Sequence, residues 1–199
     1  MSALYLHIPF CEKKCFYCSF VVAIGQEHRI DPYLDALSKE AAAYKMTDVK
    51  SVYVGGGTPS MMDERQLERL VRIIDENFDR ANGNECTVEV NPESITLTKM
   101  ELLKKAGFNR ISLGVQSLNE KYLKYLGRNH NKDRAVAAFG LLRQAGFHNI
   151  SVDLMSSFPG QTMEELTEDV NAIARLGAEH VSVYSLTIEA NSRFYIKRS

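Results

Sequence analysis

The sequence predicts an α/β fold, a partial (β/α)6 TIM-type barrel of parallel strands, on three observations. Runs of apolar and β-branched residues alternate with amphipathic helical patterns along the chain, and alternating βα units imply a parallel sheet with right-handed crossovers. A weak internal repeat marks the unit. Segments beginning at Leu103, Leu142 and Ala174 each run from a helix end through a glycine (Gly107, Gly146, Gly177) and a short loop into a strand, and glycine suits the left-handed position past a helix C-terminus. Finally, Cys11, Cys15 and Cys18 directly follow the first apolar run, and functional residues of such barrels lie at the C-terminal ends of strands.

Taken in order, strands are expected at Leu4–Phe10, Ser51–Gly56, Thr87–Asn91, Ile111–Ser117, Ile150–Ser156 and Val181–Ile188. The first helix is expected at Asp31-Pro32, a capping residue before proline, with Leu34, Leu37, Ala41 and Tyr44 on one face. Asp63/Gln66, Thr98/Glu101, Ser117/Glu120 and Thr162/Glu165 all read as capping boxes. Leu67, Leu70, Val71, Ile74 and Phe78 form the clearest core-facing stripe. Six units are too few to close the usual eight-stranded barrel, so residues 1–199 read as one core domain of a longer protein whose open edge needs cover.

Composition narrows the function classes. A net charge of −1 with interspersed signs offers no basic stripe for nucleic acid and no polybasic cluster for an anionic membrane. The N-terminus lacks signal-peptide organisation, and no apolar run approaches the roughly 18 residues of a membrane span. Clustered free thiols without a targeting signal point to a reducing cytoplasm.

The chemistry starts at C-x3-C-x2-C. Three thiols on one loop can hold three corners of an iron–sulfur cube and leave the fourth iron open to a substrate or cosubstrate. A disulfide framework fits poorly, because the three lie within eight residues. Structural zinc asks for four ligands in two spaced pairs; no second C-x2-C exists, and His7 is the nearest candidate fourth ligand. Gly55-Gly56-Gly57-Thr58-Pro59-Ser60 follows the second strand, where glycines let the backbone approach a ligand or simply permit a βα turn. It is not a Walker A loop, since no Gly-Lys-Ser/Thr follows.

Strand parity selects further residues. Thr87, Glu89 and Asn91 share one face, and Glu89 must face the barrel mouth because a carboxylate under the helices would be buried unpaired. It reads as a ligand contact, with a salt bridge across the interior as the alternative. Cys86, on the opposite face, reads as a small core residue. Gly114, Gln116 and Asp153 share the repeat's register, so polar groups converge from successive strands. Arg128 ends a short helix carrying Tyr122, Leu123 and Leu126, where a cation could also favour the helix C-terminus. His148 and His180 read as solvent-exposed loop histidines, and His130 shows no ligand spacing.

These strings resemble the radical S-adenosylmethionine (SAM) superfamily. The triplet with an aromatic before its last cysteine, Tyr17, matches that superfamily's motif, and His7-Ile8-Pro9-Phe10-Cys11 is similar to the branch of coproporphyrinogen III dehydrogenase and a related heme chaperone. The resemblance implies a radical SAM core in which Cys11, Cys15 and Cys18 ligate a [4Fe–4S] cluster. It assigns SAM contacts to Gly56, Gly57 and Thr58 (amino group), Glu89 (ribose), Gln116, Arg128 (carboxylate) and Asp153. Tyr5 matches a tyrosine beside the sulfonium, with core packing as the alternative, and Tyr17 an aromatic backing the adenine. It implies that one cluster electron splits the sulfonium bond, giving methionine and a 5′-deoxyadenosyl radical that abstracts hydrogen.

Phe20 separates the branches. The dehydrogenase pattern continues to a fourth cysteine two residues past the third, and here that place is Phe20. This departure resembles the heme chaperone, which binds heme and delivers it to acceptor proteins. The aspartate usual there after the third cysteine is missing, and Met155-Ser156-Ser157-Phe158 departs from the common Ile-Tyr-Gly-Leu. The expected function is therefore a heme chaperone that is oxidoreductase-like in fold. The alternative is oxygen-independent oxidative decarboxylation of coproporphyrinogen III propionates. Partners implied are SAM, heme or a porphyrinogen, and a heme-acceptor protein.

Overall fold

The computed structural model describes residues 2–196. Its elements in chain order are β1 (Ser2–Ile8), β2 (Phe10–Cys11), β3 (Ala23–Ile24), α1 (Ile30–Ala43), β4 (Met46–Gly56), α2 (Glu64–Asn77), β5 (Phe78–Val90), α3 (Leu97–Lys105) and β6 (Arg110–Gln116), then α4 (Glu120–Leu126), α5 (Lys132–Gln144), β7 (Ile150–Ser156), α6 (Met163–Leu176), β8 (His180–Ser185) and α7 (Arg193–Ile196). Six strands form one sheet in the order β1-β4-β5-β6-β7-β8. Every pairing in it is parallel. The remaining two, β2 and β3, make a small parallel pair carrying Cys11. This is the expected α/β partial barrel.

Helices follow β4, β5, β6 and β7, and one face of the sheet is buried while β8 at its edge stays largely exposed. Val54, Val88 and Ile111 lie in register on that face and are almost wholly buried, as are Leu67, Leu70 and Ile74 on α2. The opposite face is polar: Tyr53 pairs in register with Thr87, and Glu89 with Ser112. Tyr17 packs against a smaller apolar cluster of Tyr122, Leu126, Met155 and Phe158, with the Tyr122 and Phe158 rings stacked at 4.3 Å.

The two strongest caps are as expected. Asp63 with Gln66 and Thr162 with Glu165 form reciprocal capping boxes. Gly107, Gly146 and Gly177 all take positive φ after their helices, at 87°, 85° and 75°. Three expected starts move. The first helix begins at Ile30, continuing from a 3-10 turn, so Asp31 is free to bind Arg65 of α2 through two hydrogen bonds of 2.9 and 2.7 Å. Thr96, not Thr98, caps α3, and Asn119, not Ser117, caps α4. Ser117 instead donates to the buried Asp169 on α6. Tyr44 falls past the end of α1 and is exposed.

Candidate functional site

The chain leaves β1 and passes through β2 directly into the cysteine loop. Cys15 and Cys18 close a turn through Cys18 N–H to Cys15 O at 3.2 Å. Phe16 fastens that turn: its N–H donates to Leu126 O at the end of α4, and its carbonyl accepts from Phe194 N–H of α7, both at 2.9 Å. The Arg193 guanidinium covers the Phe16 ring at 4.3 Å. Three thiols are thus presented from a loop pinned at Phe16 by both α4 and α7.

The glycine loop meets them. Gly57 N–H donates to Ile8 O at 2.7 Å and Thr58 N–H to Phe10 O at 2.8 Å, locking the loop after β4 onto the chain entering Cys11. A Cβ on Gly57 would lie 2.5 Å from Phe10 O, so only glycine permits this approach. Thr58 Oγ1 lies 3.5 Å from Cys11 Sγ. Glu89 accepts from Gly56 N–H at 3.0 Å and from the Tyr53 hydroxyl at 2.7 Å. Among the described residues Glu89 forms no ion pair, so the salt-bridge alternative is not what occupies it.

Strand ends supply the rest. Gln116 closes β6 with φ at +69°, a left-handed conformation costing about 1–2 kcal/mol outside glycine; such strain gathers at functional sites. Asp153 on β7 accepts from Ser112 at 3.2 Å, and burial together with the nearby Glu89 pushes its carboxyl up to about 6. Arg128 follows α4 but does not lie over the end of its own helix. Its side chain is only 4% exposed. It donates to Cys15 Sγ at 3.4 Å, to Asn91 Oδ1 at 2.8 Å and to Gly114 O at 2.9 Å, while its Nε is buried without a protein partner. Burial opposes the guanidinium's charge, but Cys15, Tyr17 and Glu93 outweigh it and hold its pKa above the usual value.

A cavity of about 480 Å³ collects this set. It is lined by the three cysteines and by every expected SAM-contacting residue except Tyr5. Tyr5 is 56% exposed and binds His7 Nδ1 at 3.0 Å, so it is neither core packing nor part of the cavity wall. His7 is likewise exposed and outside the cavity, which removes the proposed fourth zinc ligand. Cys86 is a buried core residue and His148 an exposed loop residue, but His180, though exposed, opens β8 and shares a 2.8 Å hydrogen bond with Ser151 instead of lying in a loop.

Sequence reasoning passed over Asn91, Glu93 and His130. His130 is buried, binding Glu93 Oε2 and Val115 O at 3.0 Å each, and Glu93 lies 3.8 Å from Arg128. Asn91 lies two residues past Glu89 and His130 two past Arg128, and that proximity was the available signal.

The donor set fits an iron–sulfur cube. All three thiols are unpaired and partly accessible. Burial pushes the Cys11 and Cys18 thiols up, the neighbouring cysteines add to this, and Thr58 counters it for Cys11. Among the described residues no three His, Cys, Asp or Glu side chains gather closely enough to hold one ion, whereas a cube needs each thiol to reach only its own iron.

A cavity at the strand ends of a parallel partial barrel, opened by C-x3-C-x2-C, defines a class, and the comparisons agree with it. Residues 5–195 match the radical SAM superfamily; the chain belongs to that family, whose members imply a [4Fe–4S] cluster and SAM. It is 40% identical over 200 residues to the heme chaperone HemW of Bacillus subtilis, covering 98% of this chain and 53% of that protein. It is 34% identical over 188 residues to the oxygen-independent coproporphyrinogen III oxidase of Escherichia coli, covering 92% of this chain and 41% of that protein. The structure of the E. coli coproporphyrinogen III oxidase HemN superposes with a TM-score of 0.89 at 32% identity, covering 98% of this chain and 46% of that one. The chain spans about half the length of the heme chaperones it matches. Among the described residues no helix is long and apolar enough to cross a membrane.

Proposed function

We propose that the protein is a SAM-binding iron–sulfur heme chaperone that binds heme and delivers it to acceptor proteins in the reducing cytoplasm. The observation that carries this reading is Phe20. It stands where the dehydrogenase pattern has its fourth cysteine, and its ring lies 63% exposed at the cavity rim. The similarity to HemW proteins supports the same choice.

Cys11, Cys15 and Cys18 would hold the cluster in this reading, with SAM bound beside it. Gly56, Gly57 and Thr58 offer backbone groups to the amino end, Arg128 meets the carboxylate, Glu89 the ribose, and Tyr17 backs the adenine. Gln116 and Asp153 complete the wall, and Tyr5 must turn inward to reach the sulfonium. The buried, unpartnered Nε–H of Arg128 supports a further acceptor at that guanidinium. The chemistry such a cluster would supply is one-electron reduction of SAM. The protein's own part is to orient SAM and keep water from the cavity.

A second reading, oxidative decarboxylation of coproporphyrinogen III, is favoured by the close superposition on HemN. A paired assay separates the two: heme titration of the reconstituted full chain, and anaerobic incubation with coproporphyrinogen III and SAM. The chaperone reading expects saturable heme binding without decarboxylation. Turnover of the porphyrinogen sinks it.

A further inference from the structure

We propose that Asn91 is a positioning residue that aims one hydrogen-bond donor at each of two cluster-ligating cysteines, and so sets the reduction potential and the retention of the cluster. The inference rests on the iron–sulfur reading above.

The connections run through one side chain. Asn91 follows β5, on the strand face that points into the cavity. Its Nδ2 donates to Thr58 Oγ1 at 3.0 Å, and that oxygen lies 3.5 Å from Cys11 Sγ. Its Oδ1 accepts from Arg128 Nη2 at 2.8 Å, and Nη1 of the same guanidinium donates to Cys15 Sγ at 3.4 Å. A guanidinium has only donors, which fixes the amide orientation: a reversed Asn91 would set its NH2 against Arg128. The Thr58 hydroxyl, accepting from Asn91, keeps its own proton to give. A ligating Cys11 is a thiolate with no proton of its own, so Thr58 is the donor there. Both ends of the chain of bonds are therefore polarised toward sulfur, and the amide between them ties the two donors to one side chain.

The surroundings keep Asn91 in place. Its N–H donates to Ser60 Oγ at 3.2 Å. Facing it is Gly114, where a Cβ would come within 2.7 Å of Asn91 Oδ1. Gly114 O and Glu93, the latter tied to buried His130, hold the Arg128 fork independently of the sulfur. Donors to a thiolate ligand draw charge from it and favour the more reduced cluster, raising the potential, and partners behind a ligand also govern how tightly metal is kept.

The test uses the full chain reconstituted anaerobically with iron and sulfide. Iron and sulfide content, midpoint potential by spectroelectrochemical titration, and the rate of iron loss to a chelator are measured. Asn91→Leu, which keeps the volume, should load as the parent does, show a lower midpoint potential, and lose iron about tenfold faster or more. Gly114→Ala, whose Cβ would press hardest on the Asn91 oxygen at 2.7 Å and also approach Gln116 Nε2 at 3.2 Å and Arg128 Nη2 at 3.7 Å, should shift both readouts the same way. Should Asn91→Leu fail to fold, Gly114→Ala decides alone. Loaded variants with the parent's potential and chelator rate overturn the role of Asn91 while leaving the cluster reading intact. A parent chain that takes up no iron and sulfide overturns both.

Discussion

Asp153 carries two conflicting demands. Its place on the polar face of β7 suits a ligand contact, yet burial and the proximity of Glu89 make its charge costly and push its carboxyl from 3.8 to about 6. A carboxyl whose folded pKa lies above its unfolded value destabilises the fold once it ionises, so the cost is absent below pH 3.8 and full above pH 6. At about 1.4 kcal/mol per unit, the cost near neutrality is on the order of 3 kcal/mol. Asp153→Asn should therefore stabilise the unliganded chain by up to about that amount at pH 7.5. In chemical denaturation the gain should fade as the pH falls through 6 toward 3.8, and a gain equal at both ends contradicts this account. Gly57→Ala tests the loop in the opposite sense. Its Cβ would meet backbone, Phe10 O at 2.5 Å and Ile8 O at 2.9 Å, which cannot rotate away. A loss of about 1–3 kcal/mol is expected from such overpacking, and an unchanged urea midpoint would show the loop more yielding than this. At this scale the cysteines, glycines and Glu89 were legible because spacing and strand parity need no partner. Asn91, Glu93 and His130 were not, because their roles lie in contacts between segments more than 12 residues apart. For Tyr5, neither the resemblance nor the packing alternative could show its hydroxyl bound to His7.

At the level of elements, the six strands of the main sheet and the helices between them were readable, and β7 keeps its expected bounds, but the β2–β3 pair and α7 were not expected and β8 ends at Ser185, not Ile188. Boundaries were lost where signals overlap. Thr96 and Thr98 both precede a plausible first turn, and the S/T-x-x-E pattern chose the second, although the structure gives the cap to Thr96 through Lys99 N–H at 3.2 Å. β5 begins nine residues earlier than expected, at Phe78, because Asp79-Arg80 and Asn82-Gly83-Asn84 carry no apolar alternation. The caps are separable by experiment: Thr96→Ala should cost about 1 kcal/mol and Thr98→Ala only a few tenths. Equal losses in thermal melts would return the cap to Thr98. Leu67 on α2 is fully buried, so Leu67→Ala should cost about 2–5 kcal/mol. Val136, exposed on α5, should tolerate the same truncation within about 0.5 kcal/mol.

Across the whole molecule, the order of the sheet follows the order of the chain, so each strand's C-terminal end arrives at the same mouth as its predecessor's. That arrangement brings Cys11, Thr58, Glu89, Gln116, Arg128 and Asp153 into one cavity although 142 positions separate the first from the last. The apolar layer beneath the helices carries the stability, and the polar layer of the opposite face remains open to a ligand. The account stands or falls on whether the three thiols hold a cube with one iron left for SAM. The most direct measurement is the EPR spectrum of the dithionite-reduced, anaerobically reconstituted chain with and without SAM, alongside Cys15→Ala. The account predicts a [4Fe–4S]⁺ signal that changes on adding SAM, and loss of most iron and sulfide in the variant. A spectrum indifferent to SAM, or a Cys15→Ala chain loading as fully as the parent, would contradict it.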